Sequence, residues 1–367
     1  DQDGKPTAWS KPSYWGMGIM NENEWQAQWI APLLGGPGAP LLRKHFDSEG
    51  QIKQAKVFVC GLGYFELYVN GERIGDDYLV PNMTDYTKRF DLEKGPIAIS
   101  GNMSRHRVMY LAYDITKQIQ EGRNALGVIL GNGFYDAVNL NIPCSKFGDE
   151  CLRLQLQLTY ADGTTQTVIS DNTWETKPSA ITLNGVHAGE IYNANLETPL
   201  WATTEDNSQG WQRVKCIEGP TGMMTAHTAP TDKIVESLKP ISLHQREDGA
   251  WVVDFGKEIS GWLHLHDLKG EKGDTVKVDY ISESVQGNMR YVMNGSGSEE
   301  YAPRFTWFAF SKAVISGVKE LSMKNLTADV VNTHVEKTAD FHTTDTLFNR
   351  INEIWQRSQL DNMHGGI

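Results

Sequence analysis

Over most of its length the chain alternates apolar and polar positions, the period of strands that bury one face. The clearest case is Leu152, Leu154, Leu156 and Leu158 interleaved with Arg153, Gln155, Gln157 and Thr159, which predicts a half-buried strand with one wet face. Asp162-Gly163 turns that strand, and Thr165, Thr167 and Ile169 carry its partner. Residues 43–46, 56–61 and 64–69 read as further strands. Asn70-Gly71 after the last of these is the strongest short hairpin signal, returning through Glu72-Arg73-Ile74-Gly75. Residues 251–255, residues 261–265 and the alternation of Val276, Val278 and Tyr280 with Lys277 and Asp279 extend the β reading. So do residues 303–306 with Phe310. At the start, Ala8-Trp9-Ser10 and Met17-Gly18-Ile19 read as strands closing a preceding unit.

The period changes after residue 340. Thr343, Thr344 and Asp345 offer side-chain oxygens to the free N–H groups of a helix start. Leu347, Ile351, Ile354 and Trp355, with Phe348 alongside, form one stripe at 3.6-residue spacing, and Glu353 and Arg357 pair on another side. Gly365 and Gly366 are expected to end the helix. An isolated helix of about 15 residues is marginal in water. Trp355 and Ile351 are therefore expected to pack on the preceding β domain or to stand exposed as an apolar patch that invites association.

Composition narrows the classes. A chain of 367 residues predicts two or three domains, and 40% hydrophobic residues suffice for packed cores. A net charge of −12 argues against nucleic acid and against an anionic membrane surface. No run approaches the 18 or so apolar residues of a transmembrane helix. No signal peptide opens the chain, though a mature or trimmed N-terminus would have lost one. The eleven Trp residues suit either sugar platforms or β cores. Cys60 ends an apolar run and reads as a small buried hydrophobe. Cys144 and Cys151 flank a short loop and could bridge, although spacing alone cannot establish the geometry. No Cys-x-x-Cys or Cys/His pattern supports zinc. Asn-x-Ser/Thr occurs at Asn82, Asn102, Asn294 and Asn325.

Asp76, Asp77, Asp85 and Glu190 are the candidates for calcium or sugar-hydroxyl binding, against a plainer reading as turn residues; no calcium-loop spacing is present. His264 and His266 lie two apart in a strand and share a side. They are a possible metal pair without an evident third ligand, or simply a wet sheet face. Gly61-Leu62-Gly63 and Gly131-Asn132-Gly133 lack the following pattern of a phosphate loop and read as turns. No nucleophile elbow and no paired acids in a glycosidase context are recognisable, so no catalytic residue is assigned in this chain.

The stretch GLGYFELYVNGERIGDDYLVPNMTDYTKR resembles the N-terminal β-sandwich of bacterial α-L-rhamnosidases, which are inverting glycoside hydrolases. Tyr113-Asp114-Ile115-Thr116, Gly122 to Gly127 and Leu130-Gly131-Asn132-Gly133-Phe134-Tyr135 continue the resemblance, with residues 92–107 as an apparent exposed insertion. His187 to Ala194 is similar to the family's Gly-Glu-x-Tyr-Asp-Ala run, with Asn193 where aspartate is usual. Ala309 and Ser311 stand where Gly and Arg are usual around Phe310. Phe341, Asn349-Arg350-Ile351 and Asn362-Met363-His364-Gly365 resemble the opening of the family's catalytic helical domain.

The resemblance implies a mainly β fold of two sandwich domains in series (jelly-roll and concanavalin-like), with a C-terminal helix that would open an (α/α) barrel. Its divisions are residues 1–20 as the end of a fibronectin-III-like domain or linker, 21–228 as the N-terminal sandwich, 229–336 as the concanavalin-like domain, and 337–367 as the start of the helical domain. The implied function is the non-catalytic front of an α-L-rhamnosidase-like hydrolase releasing terminal rhamnose from a rhamnose-containing glycan, its acids lying downstream. The alternative is a stand-alone carbohydrate-binding protein. Asn362 and His364 are the candidate substrate-binding residues, against a helix cap and a structural histidine. No metal or other cofactor is expected, calcium being the one possibility, and Asn193 would remove a charge from such a site. The expected location is periplasmic or secreted, with the cytoplasm left open.

Overall fold

The computed structural model describes the chain apart from residues 1–3, 5, 7–8, 14, 34, 87–105, 137–145, 206–207, 283–286 and 366–367. It is mainly β, with one α-helix among the described residues, at the C-terminal end. A seven-stranded sheet runs in the order Lys215–Ile217, Trp29–Ala31, Cys151–Tyr160, Ile52–Leu62, Arg107–Asp114 and Met223–Ala226, with Thr165–Ile169 also paired to Cys151–Tyr160. A six-stranded sheet holds Gln212–Arg213, Glu175–Pro178, Pro40–Ser48, Gly122–Gly131, Tyr64–Val69 and Glu72–Ile74. The third sheet has ten strands and is built mostly from residues after 230.

The three sheets stack as layers because the middle one is apolar on both faces. In the six-stranded sheet Leu42 pairs with Val128 and Leu41 with Ile129. Successive residues point to opposite faces. Leu42 and Val128 enter a core shared with Val57, Leu154 and Leu156 of the seven-stranded sheet. Leu41 and Ile129 enter another, with Trp262, Phe305 and Phe308 on the ten-stranded side. The Tyr64–Val69 hairpin turns at Asn70 (φ 50°) and Gly71 (φ 88°), the two positive values a tight right-twisted hairpin requires.

Several sequence expectations are corrected here. The 152–158 strand exists as predicted, but its polar face is partly dry. Gln155 is fully buried, and its amide oxygen accepts from the Gln26 and Ala27 N–H groups while its nitrogen donates to Glu24 O. Trp25, Phe58 and Tyr110 close the same outer face in edge-to-face contact. The described residues around Trp9 and Met17 form no strand, and Trp9 is fully exposed. Cys151 is a buried free thiol rather than half of a disulfide; Cys144 lies outside the described residues. Residues 92–105 of the supposed insertion and Asn102 also lie outside them, and Arg107 opens a strand.

Residues 251–255 and 261–265 are one strand, Trp251–Leu268, whose register shifts between Asp254 and Ile259. Residues 303–306 are not strand but a buried connection. The hairpin Ile181–Gly185 and Gly189–Asn193, inside the segment assigned to the first sandwich, joins the ten-stranded sheet. Gly189–Asn193 runs parallel to Asn288–Val292 and pairs with it along its whole length.

The helix spans Thr346–Asp361 and is capped by Asp345, whose side chain accepts from the Leu347 N–H, as the sequence predicts. Its end differs. Asn362 is the C-cap, with its N–H on Gln359 O and Leu360 O, and Gly365 (φ 63°) comes three residues later.

Candidate functional site

The chain that follows the helix is fixed to the ten-stranded sheet by one buried carboxylate. Asp232 and Thr333 are opposed partners on neighbouring strands. The Thr333 hydroxyl donates to Asp232 Oδ1 at 2.7 Å, and the Gly365 N–H reaches the same oxygen at 3.2 Å. His364 Nδ1 lies 3.0 Å from Asp232 Oδ2, and the Thr333 N–H donates to Met363 O at 2.8 Å. The His364 ring stacks on Trp307 with centroids 4.1 Å apart. Both side chains are out of water, His364 at 5% exposure and Asp232 at 1%. A second tie is the Ser260 N–H, donating to Asp361 Oδ1 at 3.1 Å, where burial raises the Asp361 carboxyl above its usual range. Asn362, the other sequence candidate, turns its amide back to Ser358 O at 2.7 Å. So the structure gives Asn362 a capping contact and His364 a buried hydrogen-bonding and stacking contact.

The helix meets the sheet with its polar side. Asn352, Gln356 and Arg357 are partly covered, whereas Leu347, Phe348, Ile351, Ile354 and Trp355 are all exposed, Leu347 and Trp355 at 63%. Of the two outcomes the sequence left open for Trp355 and Ile351, the exposed patch is the one observed.

The acidic candidates are dispersed. Asp76 pairs with Lys233 at 2.5 Å. Asp77 accepts from the Tyr113 hydroxyl at 2.9 Å and from Thr231, and Asp85 faces His106 at 2.8 Å. Glu190 belongs to the hairpin that joins the ten-stranded sheet. It accepts from the Tyr301 hydroxyl at 2.9 Å and from the Arg304 and Phe305 N–H groups. Burial raises its carboxyl to about 7, against these donors, which pull it down. Asn193 caps a short helical turn, its Oδ1 accepting from the Asn195 N–H.

Beside Glu190, Arg304 reaches across to the middle sheet. Its Nη1 lies 2.5 Å from Glu66 Oε2 and 2.7 Å from the Tyr68 hydroxyl, which itself donates to Glu66 at 2.7 Å. Burial opposes the charge on Glu66. Arg304, Arg73 and Tyr68 outweigh it, leaving that carboxyl below its usual range. Glu66 lies in the family-like stretch that opens at Gly61 and Arg304 in the 303–306 segment, but nothing in either suggested the pair. Their 238-residue separation hides it from a reading of the chain.

His264 and His266 do share a side, with ring centroids 4.0 Å apart. The third group absent from the nearby sequence is Glu300, brought in by Glu299–Tyr301, which pairs with the same strand. Among the described residues this is the one cluster of three such groups with converging donor atoms.

The domain described as "Alpha-L-rhamnosidase N-terminal domain" matches residues 50–97 and 102–236. The one described as "Bacterial alpha-L-rhamnosidase concanavalin-like domain" matches residues 244–332. The chain belongs to the bacterial α-L-rhamnosidase family. An α-L-rhamnosidase of Formosa agariphila is 29% identical over 415 residues, covering all of this chain and 42% of that protein. The solved α-L-rhamnosidase of Dictyoglumus thermophilum is 31% identical with a TM-score of 0.85, over 95% of this chain and 40% of that one. The Streptomyces avermitilis α-L-rhamnosidase, solved in complex with L-rhamnose, is 26% identical with a TM-score of 0.80, over 89% of this chain and 32% of that one. The rhamnosidase-like chain thus spans about two fifths of the length of relatives such as the first two.

Proposed function

We propose that this chain is the accessory β portion of an α-L-rhamnosidase that removes terminal L-rhamnose from a rhamnose-containing glycan with inversion. The carrying observation is the helix Thr346–Asp361, held to the sheet by its polar side while five large apolar side chains face outward. A face of that kind is a docking face, and the relatives named as rhamnosidases are more than twice as long as the part this chain matches. In this reading a further helical domain covers Leu347, Ile351 and Trp355 and supplies the chemistry. One carboxyl group protonates the leaving oxygen, and a second, roughly 6.5–9.5 Å away, activates water on the opposite face of the sugar. The part of residues 1–367 is to set where that domain sits. Asn362 and His364 act at the threshold, where Asp232 and Trp307 fix the direction in which the chain leaves the sheet.

The test is hydrolysis of an aryl α-L-rhamnoside by the purified chain. No turnover is expected, because the acids are assigned elsewhere. Turnover by this chain that is lost on replacing one of its own carboxylates would overturn the reading.

A further inference from the structure

We infer that His264, His266 and Glu300 form a binding site for a divalent transition-metal ion of the zinc class on the ten-stranded sheet. This site is independent of the rhamnosidase reading. Three adjacent strands build it. Trp251–Leu268 supplies both imidazoles, Glu299–Tyr301 on one side supplies the carboxylate, and Leu326–Thr333 on the other supplies the groups that orient the rings. His264 Nε2 lies 2.7 Å and His266 Nδ1 3.4 Å from the same oxygen, Glu300 Oε1. All three donor atoms lie within 4.8 Å of one another.

What separates this cluster from a chance pairing is the fate of the two outer nitrogens. His264 Nδ1 is 3.1 Å from Asp329 Oδ2, a carboxylate only 5% exposed, and His266 Nε2 is 2.8 Å from Thr327 Oγ1. An N–H donated to each of these oxygens leaves the lone pairs of His264 Nε2 and His266 Nδ1 facing Glu300. Two imidazole lone pairs and a carboxylate oxygen pointed at one another repel unless a positive centre, a metal ion or a shared proton, lies between them, and a metal ion is the one that satisfies all three donors at once. Metal-binding histidines show the same outer contact, in which a carboxylate or hydroxyl fixes the tautomer and raises ring basicity. Bonds of about 2.0–2.2 Å place the ligand atoms of one ion about 3–3.5 Å apart, so small side-chain rotations suffice. Two imidazoles with one carboxylate select zinc, nickel or copper over calcium and magnesium. Glu300 is 65% exposed, which opens the site to solvent and leaves room for water as a further ligand.

Cobalt(II) is the direct probe, because its visible absorption reports imidazole and carboxylate ligation; zinc is then followed by calorimetry. Chelator-stripped chain is expected to bind one equivalent of each, with a zinc dissociation constant on the order of 10 µM or tighter. His264→Ala and Glu300→Gln should each weaken zinc at least about tenfold, and Asp329→Asn, which touches no ligand atom of the site, should weaken it less, through the His264 ring. Millimolar calcium should not compete, and His342→Ala, at an exposed histidine outside the cluster, should bind as the parent does. Glu300→Gln only neutralises an exposed side chain of the same length, so its fold is not at risk. The parent's rise in Tm with zinc should be absent from it. Absence of saturable binding, or a Glu300→Gln chain that binds within twofold of the parent, would overturn the assignment.

Discussion

The imidazole of His364 lies flat on the indole of Trp307, with planes 14° apart, while its Nδ1 faces the buried Asp232 carboxylate. One histidine thus joins the segment after the helix to two places on the sheet. Asp232 is the more consequential partner, since it also receives the Thr333 hydroxyl and the Gly365 N–H.

Asp232→Ala is therefore expected to cost about 3 kcal/mol or more, since it strands the Thr333 hydroxyl, the Gly365 N–H and the His364 ring together, each a buried polar group worth roughly 1–3 kcal/mol when left unpaired. His364→Phe, which keeps a ring on Trp307, should cost less. Urea denaturation measures both. Hydrogen exchange should show the helix Thr346–Asp361 losing its protection in the first variant before the strand Trp251–Leu268 does.

The ion pair of Arg304 and Glu66 gives a double-mutant cycle. Arg304→Met leaves Glu66, 5% exposed, without its closest cation and should destabilise by about 1–3 kcal/mol, the Arg73 guanidinium at 3.4 Å and the Tyr68 hydroxyl limiting the loss. Adding Glu66→Gln should recover a large part of that loss. Coupling energies from chemical denaturation check it, and additive single losses would count against the pair.

Glu190 imposes a pH dependence. Burial raises its folded-state value to about 7, above the value it has in the unfolded chain. Between roughly pH 4.5 and 7 the folded state therefore binds more protons than the unfolded one, and stability falls as pH rises through that window. The loss contributed by this group is roughly 3 kcal/mol, complete above its folded-state value. Glu190→Gln should flatten this part of the profile, as thermal unfolding at a series of pH values would record.

Two glycines should respond unequally to alanine. Gly261 has φ 146°, and a Cβ there would lie 1.9 Å from the Asp329 carbonyl oxygen. Gly163 has φ 88° with nothing near its Cβ position. Gly163→Ala should cost about 1–2 kcal/mol, the strain of a left-handed backbone. Gly261→Ala should cost well beyond that, or prevent folding, because a backbone atom must move. Soluble yield and Tm of the two variants give the comparison.

Trp355 is exposed, so Trp355→Ala should change the stability of this chain by less than about 0.5 kcal/mol. A loss of several kcal/mol would mean that the indole is covered in solution.

Local chemistry was legible in the sequence wherever neighbours along the chain decide the outcome. The Asn70-Gly71 hairpin, the Asp345 cap and the alternating strand at 152–158 follow from turn preference, capping and period. The rhamnosidase motifs likewise mark both β regions to which the family domains match. Long-range juxtaposition was not legible. Nothing near His264 in the chain announces Glu300, and Gln155 looks solvent-facing until residues 24–27 are seen to cross over it. The helix stripe was identified correctly as apolar, but its period could not say that Asn352, Gln356 and Arg357 would be the side turned to the sheet.

The parallel pairing of Gly189–Asn193 with Asn288–Val292 also carries a consequence for synthesis. The second strand starts 95 positions after the end of the first, at Asn288 against Asn193. At translation rates of roughly 5–20 residues per second, the hairpin spends about 5–20 seconds outside the ribosome before its partner exists. During that interval one edge offers unpaired amides and carbonyls, and Glu190 still lacks Tyr301 and Arg304. The nascent chain is most open to mispairing with a neighbouring copy just then, and slower elongation between residues 193 and 288 would lengthen its exposure without altering a single native contact.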